Sequence, residues 1–294
     1  MPVLRPHTRP APLTTRPASS DDLAMVLQLI DHAAHRLVSV ADGEIAGLLA
    51  GAPALLLLDG VGPCGVVVAG WPHETIVWQR VLALSSGLPA ARALNILLPS
   101  FHELLRARGI ARVYISSDGT SDTWAWPTLY NLGYAHDTDV IVYEKTRMNV
   151  PTHGNITVRI RTATTADIPA ILTVDARCFS PEWRKDDVQI GIALHEAPRF
   201  FVAVEHDTVI GYAFVTGHYG GRLVHLVRIA VQPERQGNGI GARLLYEVTS
   251  YAAATGADIL TLNTQAYNRN ARRLYEWFGF RRTGEKQSVL RYDL

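Results

Sequence analysis

The C-terminal half of the chain can be divided into elements from its hydrophobic pattern alone. Ile156–Arg161 alternates apolar and polar residues, which predicts a half-buried strand. Thr165-Ala166-Asp167-Ile168 opens a helix running to about Phe179, with Thr165 placed to cap it and Asp167 favourable in its first turn. A weaker helical pattern covers Asp186–His195. Phe200–Val204 and Val209–Thr216 are apolar runs separated by His206-Asp207, a composition suited to a hairpin turn, so the two should pair antiparallel. Leu223–Val231 reads as a further strand, ended by Pro233. Ile240–Thr255 sets Ile240, Leu244, Leu245 and Val248 on one helical face, with Gly256 just past its end. Ile259–Thr264 reads as a strand, Asn270–Phe278 as a helix stopped by Gly279, and Ser288–Tyr292 as a last strand. The order β-α-α-β-β-β-α-β-α-β predicts an α/β fold: a mixed, mainly antiparallel sheet flanked by helices. The N-terminal half follows the same order, most clearly in a helix over Pro89–Arg108, with a kink expected at Pro99, and a strand over Ile110–Ser116.

The two halves also share residues. Arg16-Pro17-Ala18-Ser19-Ser20-Asp21-Asp22-Leu23 is echoed by Arg161-Thr162-Ala163-Thr164-Thr165-Ala166-Asp167-Ile168, 145 residues later. Leu129-Tyr130-Asn131-Leu132-Gly133-Tyr134 is echoed by Leu274-Tyr275-Glu276-Trp277-Phe278-Gly279-Phe280, with Tyr130 and Tyr275 again 145 apart. Two matches at one offset predict two copies of one fold, over residues 14–146 and 156–294. Residues 147–155, with Pro151 and Gly154, form the linker between them. Residues 1–13, with four prolines, read as a disordered tail.

Composition narrows the function classes. Apolar residues make up 48% of the 294 and charged residues 19%, enough for two cores and too little charge for a disordered chain. The net charge is +1; the second copy carries 17 basic and 14 acidic residues, net +3, leaving −2 elsewhere. Neither half is a basic arm, so nucleic acid and anionic membrane are not expected as partners. The longest apolar runs fall far short of the ~20 residues of a membrane helix. Two cysteines, Cys64 and Cys178, offer neither a disulfide framework nor a cysteine-built zinc site, and no acidic or histidine cluster has metal spacing. A soluble, cytoplasmic protein without a metal is expected.

The segment richest in chemistry is Ile229-Ala230-Val231-Gln232-Pro233-Glu234-Arg235-Gln236-Gly237-Asn238-Gly239-Ile240-Gly241-Ala242. A strand runs into a turn with three alternate glycines and then directly into an amphipathic helix. Glycines let backbone N–H groups approach an anion, and a helix start adds about half a positive charge. The pattern suits a diphosphate, though a tight strand-to-helix turn without a ligand reads alike. A dinucleotide fingerprint would place its glycines after the first strand, with an acidic residue about twenty residues on; here the next strand ends in Thr264-Gln265. No Gly-Lys-Ser/Thr follows, so a Walker loop is also excluded.

Gln236-x-x-Gly239-x-Gly241 after Ile229-Ala230-Val231, followed by Asn268 and by Ala271-Arg272-Arg273-Leu274-Tyr275-Glu276-x-x-Gly279-Phe280, resembles the GNAT superfamily of N-acetyltransferases over nearly all of 156–294. The resemblance implies two tandem GNAT folds and acetyl-coenzyme A as cosubstrate. Its pyrophosphate would lie on the amides of Gln236, Gly237, Asn238, Gly239, Ile240, Gly241 and Ala242. Its pantetheine arm would run along Ile229, Ala230 and Val231, beside Asn268. Tyr275 matches the family's general acid, near the thioester sulfur, and a backbone N–H near Val231 its oxyanion donor. The base is less determined. The position where protein N-terminal acetyltransferases often carry Glu is here Asn263, which takes no proton at neutral pH. Other branches use the strand before the loop, which points to His225, whose unperturbed pKa of ~6.5 suits a base, directly or through water. Cys178 reads as a core residue and not a covalent carrier.

Shifted by 145 residues, the loop falls on Ala91–Ile96, where Arg92, Leu94 and Ile96 replace the glycines, Thr123 replaces Asn268 and Arg80 replaces His225. The first copy is therefore expected to be a degenerate GNAT-like domain that does not bind coenzyme A. The sequence as a whole reads as an N-acetyltransferase acting on a primary amine by direct attack in a ternary complex. The alternatives are a coenzyme-A sensor or scaffold without turnover, or a longer acyl donor. Neither the acceptor nor the choice between monomer and homodimer is written in the sequence.

Overall fold

The structure is a computed structural model and describes residues 12–294 except Asp118 and Thr120. The tail expected over 1–13 lies, as far as Ala11, outside the described residues. Among the described residues no helix is long and apolar enough to cross a membrane.

The chain forms two compact units, but not divided at the 147–155 linker. Among the described residues, one comprises those up to Asp137 together with Ser288–Leu294, and the other is Thr138–Gln287. The first contains β1 (Thr14–Pro17), α1 (Leu23–Asp31), β2 (His35–Val38), α2 (Asp42–Gly51), β3 (Ala54–Leu58), β4 (Pro63–Ala69), β5 (Ile76–Leu84), α3 (Ala90–Ala107), β6 (Arg112–Ser116), α4 (Ser121–Trp124) and α5 (Trp126–Asn131), then enters β7 (Ala135–Lys145). The second contains most of β7, then β8 (Arg159–Thr162), α6 (Ile168–Cys178), α7 (Asp187–Glu196), β9 (Arg199–Glu205), β10 (Thr208–His218), β11 (Leu223–Val231), α8 (Ile240–Ala254), β12 (Ile259–Gln265), α9 (Arg269–Trp277) and the start of β13 (Arg281–Asp293). The boundaries shift because the last strand of each sequence copy is exchanged. Val140–Lys145 pairs antiparallel with β12, and Val289–Asp293 pairs antiparallel with β6. The alternating pattern of a strand is the same whichever neighbour it joins.

In the first unit β1, β3, β4 and β5 are successive antiparallel neighbours, and β5 runs parallel to β6 over Ile76–Trp78. One sheet face packs under α3 through Leu94, Leu97, Phe101 and Leu105; the other packs under α1 and α2 through Val26, Ile45 and Leu48. In the second unit β8, β9, β10 and β11 are antiparallel neighbours and β11 is parallel to β12. Side chains alternate across this sheet. Ala213 and Val215 pack against Leu244, Leu245 and Val248 of α8, while Tyr212 and Phe214 pack against Ile171 and Val174 of α6. His206 and Asp207 both have positive φ, 48° and 59°, as a two-residue hairpin turn requires.

The literal repeat is also a structural one. Arg161 makes a bidentate pair with Asp167 (2.7 and 2.7 Å), as Arg16 does with Asp22 (2.9 and 2.6 Å). In each copy the aspartate also accepts the N–H three residues back, from Thr164 at 2.8 Å and Ser19 at 2.9 Å. The cap expected at Thr165 is thus displaced to Thr164, because the carboxylate at Asp167 reaches back across one turn. The paired arginine holds Asp22 down to about 2 and Asp167 well below the usual carboxylate range.

The first copy's counterpart of the glycine loop also moves. Ala91–Ile96 is not a loop: it lies within α3, which continues through Pro99 to Ala107, with Leu94 fully buried. The connection from β5 to α3 is Ser85–Pro89, three residues shorter than Gln232–Gly239 between β11 and α8, so a constant offset misaligns the two.

Candidate active site

Two strands that begin as neighbours separate to form the site. The β10–β11 register slips at Val227: Phe214 lies opposite Arg228 and Val215 opposite Leu226, leaving Val227 as a bulge. The parallel pairing of β11 with β12 stops at Leu226 and Leu262, although β11 continues to Val231 and β12 to Gln265. β12 stays paired with β7 to its end. From Val227 onward the far edge of β11 carries no strand among the described residues, and a groove of about 890 Å³ opens there. Ile229, Ala230 and Val231 line it, as the expected path of an extended arm along this edge requires. The slot reaches both faces of the sheet: Ile229 and Val231 pack on the α8 side, while Ala230 packs with Tyr212 and Phe214 on the α6 side.

The first unit has the same divergence and closes it. There β2 pairs antiparallel with Val81–Leu84 of β5, while β4 holds the other edge of those residues. The edge that is open on β11 is thus taken, on β5, by a strand of the protein itself. β2, and not bulk at Arg92, Leu94 or Ile96, occupies the equivalent edge in the first copy.

At the α8 end, Gly237 and Gly239 have φ of +80° and +74°, a left-handed conformation that other residues enter at a cost of ~1–2 kcal/mol. Gly239 is the N-cap of α8. The first N–H groups of that helix have no carbonyl within it and carry its positive partial charge. The linker holds the loop in place: Asn155 N donates to Gly239 O (3.1 Å), and Asn155 Nδ2 to Asn238 O (2.9 Å). Gly154 lies so close that a Cβ there would be 2.3 Å from Arg243 N. Gln236, Gly237, Gly239, Gly241 and Ala242 line the groove. Asn238 and Ile240 do not; Ile240 is buried in the core under α8. Among the described residues, those with charged side chains lining the groove are Arg228, Arg269 and Arg273, with no carboxylate.

Tyr275 reaches the groove from α9. Its ring is buried between Tyr143 (6.2 Å between centroids) and Phe280 (6.1 Å), and its hydroxyl bonds no other described residue. Burial, then the neighbouring Tyr143, raises its pKa well above the usual tyrosine value, so it holds its proton across the neutral range. Tyr130, its sequence counterpart, is 46% exposed. Asn268 lines the groove and caps α9, accepting from Ala271 N at 3.3 Å. The exchanged strand supports this helix in a way the sequence did not reveal. Lys145 Nζ donates to Phe278 O (2.7 Å) at the helix's negative end, and Tyr143 Oη donates to Glu276 Oε1 (2.9 Å). A lysine and a tyrosine in an apolar strand were the available signal.

His225 is not brought to the groove. Its Nδ1 lies 2.9 Å from Thr261 Oγ1, and burial, with the charge of His218 second, lowers its pKa to about 4. The imidazole is neutral at pH 7 and a weak base. Asn263 does line the groove. So does Cys178, whose Sγ donates to Val231 O (3.1 Å); burial pushes the thiol up to about 11, far from a thiolate nucleophile. Gln236 Nε2 donates to the same carbonyl (3.0 Å), tying the loop to the end of β11.

Residues 168–280 match the Acetyltransferase (GNAT) family. An uncharacterized N-acetyltransferase of Bacillus subtilis (strain 168), YhfO, is 35% identical over 83 residues, 27% of this chain and 56% of that protein. The N-acetylaspartate synthetase of Danio rerio is 33% identical over 88 residues, 30% of this chain and 31% of that one. The chain thus spans between about a third and about half of the length of these relatives. Over 96% of its length the chain is similar in fold to a tandem GNAT protein from the clavulanic acid biosynthesis pathway, with a TM-score of 0.68 at 13% identity and 98% of that chain covered.

Proposed function

We propose that this chain, whose residues 168–280 form a domain of the GNAT acetyltransferase family, transfers an acetyl group from acetyl-coenzyme A to a primary amine by direct attack in a ternary complex. The observation that carries this reading is the slot between β11 and β12, with a glycine-rich helix start on one side and a buried tyrosine in its wall. The residues present fit the cosubstrate. An extended polar arm matches an unpaired strand edge, a diphosphate matches the N–H groups at Gly237–Ala242, and a polyanion matches the α9 side of the groove, which holds Arg269 and Arg273 and, among the described residues, no carboxylate.

Bound there, acetyl-coenzyme A would supply a thioester whose acyl carbon bonds to the amine nitrogen as its bond to sulfur breaks, so that one proton leaves nitrogen and one reaches sulfur. Tyr275 holds a proton at a hydroxyl that bonds no other described residue, and is the group to deliver it to sulfur. Backbone N–H groups on the open edge of β11 can stabilise the charge that develops on the carbonyl oxygen. For the nitrogen proton, neither a carboxylate nor a histidine lines the groove among the described residues, so the proton leaves to water and not directly to His225. Cys178, held as a thiol, supports direct attack over an acylated enzyme.

The same comparison of edges supports one working site per chain, because β2 fills the equivalent edge in the first unit. The first unit would then serve as scaffold, and it contributes no cosubstrate site. The test is release of free coenzyme A thiol from acetyl-coenzyme A in the presence of a panel of primary amines. Amine-dependent release supports the reading. Binding without release under any amine would favour a sensor.

A further inference from the structure

The α6 side of the slot carries one side chain whose surroundings are built with unusual completeness. Arg228 stands on β11 just past the bulge, with its side chain on the α6 face, opposite the face that carries the glycine loop and α8. Its side chain is 9% exposed. Nε donates to Asp175 Oδ2 (2.6 Å) and to Tyr212 Oη (2.9 Å), Nη2 donates to Trp183 O (2.7 Å), and the guanidinium lies over the Phe179 ring at 3.6 Å. Asp175 is fully buried; it also accepts the Tyr212 hydroxyl on Oδ2 and Lys185 N on Oδ1 (2.9 Å). The arginine is therefore fixed in position on two of its three nitrogens. The third, Nη1, bonds no described residue and is not among the sealed polar atoms of the interior, so it opens on the groove that Arg228 lines.

A buried guanidinium edge left open in a groove is a site for a planar anion. A carboxylate is the anion that an amine acceptor most simply carries. The rest of the lining agrees: it carries no Asp or Glu among the described residues, so nothing there would attract an acceptor whose only charge is its ammonium group. Resting on the transferase reading above, we infer that the acceptor is a free amino acid, its carboxylate held by Arg228 Nη1 while its amine faces the thioester carbon. Asp175, Tyr212, Trp183 and Phe179 are then positioning residues that hold the arginine in place.

The test measures acetyl-coenzyme A thiol release with matched probes: glycine, alanine, phenylalanine, aspartate and glutamate, each beside its α-amide and its decarboxylated amine. At least one amino acid is expected to exceed its own amide and amine by at least ~30-fold in kcat/KM, the cost of leaving one charge-assisted hydrogen bond unmade. Arg228→Lys keeps the charge but loses the fork; the KM for that amino acid should rise ~10-fold or more with the KM for acetyl-coenzyme A unchanged. Because removing Arg228 alone strands Asp175, a double variant, Asp175→Leu with Arg228→Met, removes both buried charges, and its folding is followed by thermal unfolding. In that folded variant the amino acid should lose its advantage over its amide. Amides and simple amines acetylated as well as the amino acids would overturn the inference and leave the transferase standing. No release with any probe would overturn both.

Discussion

Replacing Tyr275 with phenylalanine removes one oxygen atom and nothing that packs. The hydroxyl bonds no other described residue, and the ring keeps its contacts with Tyr143 and Phe280. The stability change should therefore stay within about 0.5 kcal/mol, which in a domain of this size moves the melting temperature by only ~1–2 °C. Turnover behaves differently. Without a proton held at that point, sulfur leaves unprotonated, and removal of a positioned general acid costs ~10²-fold or more. The loss belongs in kcat, with the KM for acetyl-coenzyme A little changed, because the hydroxyl has no role in the arginine-lined part of the groove. Since burial raises the pKa of Tyr275 well above the ordinary value, the wild-type rate should also show no alkaline fall from this group between pH 7 and 9. The assay pairs thiol release with thermal unfolding of the same preparation. Turnover within threefold of wild type would remove Tyr275 from the mechanism. A large fall in melting temperature would show instead that the hydroxyl is structural.

Acid should destabilise the protein through two histidines. Burial holds His102 and His225 at about 4, so the unfolded chain binds more protons than the folded one between about 4 and the unfolded value of ~6.5. Stability is full above pH 6.5 and falls as pH drops through that window, by up to about 3 kcal/mol per histidine; urea unfolding at pH 7 and pH 4.5 should show the loss, and His225→Asn should reduce it. Lys145→Met leaves the carbonyl of Phe278 without its donor and should cost ~1–3 kcal/mol, measured by denaturant unfolding, with kcat reduced because α9 carries Tyr275. Cys64 and Cys178 are both pushed up to about 11, so a thiol alkylator at pH 8 should modify the native protein far more slowly than the denatured chain.

Much of the second unit was legible because its signals are local. The helix and most strand periods, the His206-Asp207 turn and the Gly237-Gly239-Gly241 loop each rest on a few neighbouring residues and appear where their pattern put them, whereas the strand expected over Ile156–Arg161 is Arg159–Thr162 and the last strand starts at Arg281, not Ser288. Even the Arg16–Asp22 and Arg161–Asp167 pairs could be found as an echo, since each closes over six residues. Non-local pairings were not legible. The exchange of Thr138–Lys145 and Ser288–Leu294 leaves no trace in a strand's own alternation. The bulge at Val227, which opens the slot, depends on the register against β10. Arg228 and Asp175 stand 53 residues apart, and nothing in either segment announces the other. The first unit misled for a related reason: a loop three residues shorter breaks the constant offset, and the strand that fills its groove, His35–Val38, is too short to stand out by pattern. His225 stands on the strand before the loop, and a place along a strand does not report on which side of a bulge the side chain will lie.

The central claim is one working cosubstrate site per chain, in the slot beside β11, and calorimetric titration with acetyl-coenzyme A tests it most directly. Gly237→Trp is the matched control: a Cβ at Gly237 meets no atom within 4 Å, so the indole enters open space at the loop at the cost only of the positive φ, whereas a Cβ at Gly239 would press to 3.3 Å on Asn155 N. One site per chain, lost in a folded Gly237→Trp variant, is the result this account predicts. Two sites per chain, or binding that survives the substitution, would contradict it.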